Sequence, residues 1–206
     1  MSSWFIYSIG FAAQFLYFGR AIIQWLLSEK NKKVETPSIF WKLSLMGSIL
    51  MFIYGYFRED FAIMLGQSLT YFIYIRNLHF QQEWKKLPIL IRLLLLAFPL
   101  FVVIFYYNNN KIDVYQLFHS DNIATWLLIW GSVAQIIFTM RFVYQWLLTE
   151  KYKISSLPKG FWILSLVGSL MILFYAILRK DPVLFSGTIF SVFLYIRNLI
   201  ILKNQI

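Results

Sequence analysis

The sequence predicts an all-α transmembrane protein of seven helices, two parallel three-helix repeats joined by one linker helix. Three observations lead there. The 206 residues are 60% hydrophobic, 20% aromatic and only 14% charged, too little polar surface to clothe a soluble globule. Apolar stretches of membrane-spanning length, about 20 residues each, fill nearly the whole chain. And the chain repeats itself at a fixed offset of 121 residues.

Hydrophobic windows place spans over residues 4–27, 39–57, 61–80, 87–107, 123–148, 161–178 and 182–202. They stop at polar or turn-forming segments: 28–38, the triplet Arg58-Glu59-Asp60, 81–86, 108–122, 149–160, and the triplet Arg179-Lys180-Asp181. The two triplets make tight hairpins. No basic region precedes Trp4 and no small-residue cleavage pattern follows it, so the first span is expected to be retained and not to be a signal peptide.

Aligning residues 4–80 with 125–201 needs no gap, and 29 of the 77 positions are identical. The identities include Gln14 and Gln135, Arg20 and Arg141, Gln24-Trp25 and Gln145-Trp146, Pro37 and Pro158, and Tyr-Ile-Arg-Asn-Leu at 74–78 and 195–199. Three helices invert the chain's direction across a membrane, so an extra helix must separate two repeats that point the same way. The fourth span is that helix, and its Leu-, Ile-, Phe- and Val-rich composition predicts a lipid-facing surface. The expected units are repeat 1 over residues 1–86, the linker helix with its outer loop over 87–122, and repeat 2 over 123–206. Parallel repeats place a site naturally at their interface.

The net charge of +10 sits in loops, whereas nucleic-acid binding needs a basic face on a soluble module. Assigning loops alternately to two sides gathers Lys30, Lys32, Lys33, Lys42, Lys85, Lys86, Arg92, Lys151, Lys153, Lys159 and Lys203 on one face. The other face carries Arg58, Lys111, Arg179 and Lys180, offset by Glu59, Asp60, Asp113, Asp121 and Asp181. Basic residues mark the cytoplasmic side, which puts the N-terminus outside and the C-terminus inside. An odd number of spans requires the same.

Arg20 lies eight residues before Ser28, roughly 12 Å from the end of its helix, and Arg141 repeats the placement. Inserting an arginine at such depth costs about 2 to 3 kcal/mol, so a partner or a water-filled cavity must compensate. Gln14, Tyr17, Arg20 and Gln24 share about 120° of one helix face, and Gln67, Thr70, Tyr74 and Asn77 share about 80° of another. Repeat 2 offers Gln135, Arg141 and Gln145, then Thr188, Ser191, Tyr195 and Asn198. These faces predict a lined cavity in which Arg20 and Arg141 bind a phosphate headgroup. Packing hydrogen bonds between helices and snorkelling of the arginines to lipid phosphate are the alternatives.

Other repeated residues read as structural. Gly10, Gly47, Gly131, Gly168 and the serines at 44, 48, 165 and 169 let helices approach closely. Trp25, Trp41, Trp146 and Trp162 fit an interfacial aromatic belt. Arg58 with Asp60, and Arg179 with Asp181, are expected to pair locally within their hairpins. With no cysteine and only His79 and His119, no metal ligand set forms. No phosphate loop or intramembrane carboxylate pair suggests catalysis, so neither enzyme activity nor a cofactor is expected.

The three-plus-one-plus-three arrangement resembles PQ-loop and SWEET sugar transporters, although both first helices here lack those families' proline. A more specific likeness lies in Arg20…Gln24-Trp25…Ser28-Glu29-Lys30, Pro37…Phe40-Trp41…Ser44-Leu45…Gly47, Asp60…Gly66-Gln67 and the pentapeptide at 74–78. Repeat 2 matches through Arg141, Gln145-Trp146, Glu150-Lys151, Pro158, Phe161-Trp162, Asp181-Pro182-Val183 and 195–199, with Thr188 in place of Gln67. This pattern resembles the lipid-A-disaccharide synthase N-terminal-domain family, a membrane module of Gram-negative bacteria found fused to that synthase or alone. The resemblance implies association with lipid A or other lipid-linked glycans at the bacterial inner membrane, without the synthase reaction itself. The expected function is binding or translocation of a lipid-linked sugar, a polyprenyl-phosphate glycan or lipid A precursor. A small-sugar transporter and a membrane scaffold for a cytosolic glycosyltransferase are the alternatives.

Overall fold

The computed structural model describes residues 3–108, 124–153 and 155–203. The expected outer loop, with Lys111, Asp113, His119 and Asp121, lies outside the described residues. Seven α-helices and a 3-10 turn, Trp84–Lys86, make up the described chain, with no strand among them. The helices are α1 Ser3–Asn31, α2 Ser38–Phe57, α3 Phe61–Phe80, α4 Ile89–Asn108, α5 Thr125–Tyr152, α6 Lys159–Leu178 and α7 Pro182–Lys203. Five of them, all but α3 and α4, are long and apolar enough to cross a membrane. Gln67, Arg76 and Asn77 dilute α3, and the apolar part of α4 counted among the described residues is the shorter Ile89–Phe98.

Helix boundaries follow local chemistry. Pro37 and Pro158, both extended, stand immediately before α2 and α6, where a missing N–H costs nothing. Asp60 accepts from the Ile63 N–H and Asp181 from the Val183 and Leu184 N–H groups, capping α3 and α7 with carboxylates that also suit the positive end of each helix dipole. In both triplets the middle residue turns the chain through positive φ, 50° at Glu59 and 49° at Lys180.

Within each repeat the middle helix packs against both neighbours, α2 on α1 and α3, α6 on α5 and α7; between repeats α3 meets α5 and α1 meets α7. One aromatic cluster joins Phe40, Trp41 and Tyr74 to Phe142, Phe161 and Trp162. A second joins Ala13, Met51 and Tyr54 to Tyr175 and Val183. Linker α4 touches repeat 1 through Leu95, whose carbonyl accepts from the Tyr71 hydroxyl at 2.7 Å, and through Phe98, which packs on Phe52 and Tyr71. Leu90 and Leu94 project outward.

Close packing at Gly168 agrees with the sequence expectation: a Cβ there would lie 2.7 Å from the Phe138 Cα. The tryptophans divide. Trp25 and Trp146 are half-buried, but Trp41 and Trp162 are fully inside, packed against Tyr74 and Tyr195. They belong to the core and not to an interfacial belt: Trp41 also meets Phe142 of the other repeat, and Trp162 faces the internal cavity.

Candidate functional site

Arg20 points inward from α1, with its Nη1 donating to Ser44 Oγ on α2 and its Cζ 4.4 Å from the Tyr17 ring and 5.0 Å from that of Phe40. Arg141 points inward from α5, donating to the Tyr195 hydroxyl at 3.0 Å and stacking over Phe138 with 3.3 Å to the ring centroid. The residues are 8% and 2% exposed, so neither snorkels to the lipid boundary. Their Cζ atoms stand 5.9 and 4.6 Å from the Phe142 centroid, which keeps them within about 10.5 Å of each other. Cation–π contacts of this kind return about 0.5 to 2 kcal/mol each, a partial offset for two desolvated charges. Arg141 Nε is buried without a partner, and neither arginine forms an ion pair among the described residues.

Between the arginines lies a cavity of about 110 Å³, room for several water-sized groups. Its described lining contains both arginines and no carboxylate. Of the residues singled out from sequence, Gln14, Gln24, Gln67, Tyr74, Gln135 and Tyr195 line it. Gln14 lies over Gly187 and Gln135 over Gly66, each amide resting where a Cβ would be. Asn77, Gln145 and Asn198 do not line the cavity. They are cross-repeat clamps: Asn77 and Gln145 exchange amide hydrogen bonds at 3.2 and 3.0 Å, and Gln24 donates to Asn198 at 3.1 Å.

Comparison with known proteins gives the setting. The description Lipid A Biosynthesis N-terminal domain matches twice, over residues 9–79 and 130–200. This chain belongs to that family. Similar proteins named lipid-A-disaccharide synthase include those of Chlamydia pneumoniae, 34% identical over 187 residues, Chlamydia felis, 33% over 190, and Chlamydia caviae, 34% over 190. Each match covers 86% of this chain and 30% of the relative, so the chain spans about a third of the length of these relatives. No solved structure matches.

The two matched segments of this Lipid A Biosynthesis N-terminal domain protein exchange contacts at both ends of the cavity. Among the described residues the ion pairs of the hairpin triplets cross between the repeats, where local pairing was expected. Arg58 approaches Asp181 at 3.9 Å and Arg179 approaches Asp60 at 3.6 Å, while the Tyr54 hydroxyl donates to Asp181 at 2.9 Å and that of Tyr175 to Asp60 at 2.7 Å. The cause is capping: each aspartate folds back over its own helix N-terminus, and its free oxygen then faces the other repeat. At the opposite end Arg76 pairs with Glu150 and Arg197 with Glu29, and Trp146 and Trp25 donate to those same glutamates at 3.1 Å. Sequence reasoning missed these roles for Tyr54, Tyr175, Glu29 and Glu150, although their recurrence at the common offset was the signal.

Proposed function

We propose that this chain binds the phosphate of a lipid-linked sugar between its two repeats, at the bacterial inner membrane, and holds or translocates it for lipid A or related glycolipid synthesis. The observation that carries the reading is the pair of buried arginines in a cavity whose described lining holds no carboxylate. Buried cations without counter-charges are costly, and an anionic ligand supplies what the fold withholds. Arginine suits phosphate because its donors match the oxygens two at a time. The family supports the lipid A setting. Repeat 1, linker and repeat 2 divide the labour, in this reading, into two cavity halves and a spacer.

Binding of octyl phosphate to purified protein tests it. Arg20→Gln and Arg141→Gln should each weaken binding by about 1.5 to 3 kcal/mol, the range for hydrogen bonds to charged groups, and the double variant by less than the sum, because both contact one ligand. Fully additive losses, or none, would overturn a shared phosphate site.

A second reading is favoured by the size of the relatives, which are about three times longer than their match to this chain. Here the module docks a cytosolic glycosyltransferase through Lys30, Lys32, Lys33, Lys85, Lys86, Lys151 and Lys153. Neutralising these lysines would then abolish function in cells while Arg20 and Arg141 tolerate change.

A further inference from the structure

The two arginines repeat faithfully, but the cavity wall beside them does not. In repeat 1 the Tyr17 hydroxyl donates to Gln67 Oε1 at 2.7 Å. That bond fixes the amide's orientation, leaves Gln67 Nε2 as a donor and leaves lone pairs on the Tyr17 oxygen. Tyr74 also lines the cavity, and among the described residues its hydroxyl has no hydrogen-bond partner. The corresponding positions of repeat 2 offer fewer free groups. Phe138 has no polar side-chain atom and covers Arg141. Thr188 Oγ1 spends its hydrogen on the Leu184 carbonyl at 2.7 Å, and the Tyr195 hydroxyl accepts from Arg141, keeping only its own hydrogen to donate.

A pair of arginines cannot tell one phosphate ester from another; any discrimination must come from uncharged polar groups beside them. At the three matched positions repeat 1 presents more of them than repeat 2, whose wall adds Gln135 and Thr139 farther along the helix. We propose that the cavity selects a phosphate ester whose uncharged part bears hydroxyls, a sugar phosphate, with the anion between Arg20 and Arg141 and the sugar against Tyr17, Gln67 and Tyr74. The inference rests on the phosphate reading above and adds to it the residues that select the sugar and the side of the cavity on which it lies. An ester with an alkyl chain on that side would leave these polar atoms unpaired, the condition under which polar sites reject analogues most strongly.

The test compares glucose 1-phosphate with octyl phosphate by calorimetry on the full chain in a phosphate-free, sugar-free detergent. The native protein should prefer the sugar phosphate by about tenfold or more, as expected for one to three neutral hydrogen bonds. Tyr17→Phe with Gln67→Thr gives repeat 1 the residues repeat 2 already carries at Phe138 and Thr188, and should lower the ratio several-fold, the Tyr74 hydroxyl alone remaining. Tyr17→Phe alone, the smaller change, should lower it part-way. An unchanged ratio in either variant, or no preference in native protein that still binds octyl phosphate, would overturn the inference and leave the phosphate site standing. Native protein that binds neither ester would overturn both.

Discussion

Arg20 and Arg141 were legible in the sequence because a charge deep in an apolar run has few explanations. Ser44, the partner of Arg20, was not, since it reads as a small packing residue until the helices are placed. The glycines show how position decides an outcome. At Gly187 the three atoms nearest an added Cβ all belong to the Gln14 side-chain amide, which among the described residues has no hydrogen bond to hold it. Gly187→Ala should therefore leave thermal stability unchanged or slightly raised, helped by better helix propensity. It should weaken octyl phosphate binding about fivefold by moving an amide that faces the cavity, one neutral hydrogen bond's worth. At Gly168 the obstacle is the Phe138 backbone at 2.7 Å, which cannot swing aside. Gly168→Ala should cost about 1 to 3 kcal/mol by overpacking, read as a fall in the unfolding midpoint in detergent.

Helices were the most legible level: all seven form where hydropathy placed them, with ends shifted by a few residues. How their ends pair was illegible, because Arg58 and Asp60 sit two residues apart in sequence and yet each serves the other repeat. The junction of α3 with α4 offers a test by pH. Hydrogen bonds from Lys42 and Lys86 hold the Glu83 carboxyl down to about 2, below the ordinary value of about 4.3. A depressed carboxylate contributes stability that is fully present above the unfolded value and is lost as pH falls toward the folded one. Glu83→Gln should thus lower the unfolding midpoint by a constant amount above about pH 5, and the gap should narrow steadily below about pH 4. A gap that persists at low pH would assign the loss to packing and not to the charge pairs.

At the scale of the molecule, the repeat was visible as an offset in the sequence and recurs as the double family match. Its consequence, a cavity shared by both halves, follows from which faces meet. Orientation in the membrane rests on charge. Lysines crowd the end where α1 and α5 finish, and the triplets that cap α3 and α7 mark the other, where arginines are matched by aspartates. A basic excess holds loops in the cytoplasm, so the lysine-rich end should face inward. Glu59, Lys180, Asn31 and Tyr152 are all exposed and the native chain has no cysteine, so single cysteines at these four positions report cleanly. In intact spheroplasts Glu59→Cys and Lys180→Cys should react with a membrane-impermeant maleimide, whereas Asn31→Cys and Tyr152→Cys should react only after permeabilisation. Testing both repeats guards against a locally mobile turn, because parallel repeats require Glu59 to behave like Lys180 and Asn31 like Tyr152. The reverse pattern would invert the topology, and a split between equivalent positions would show that the two repeats do not run in the same direction.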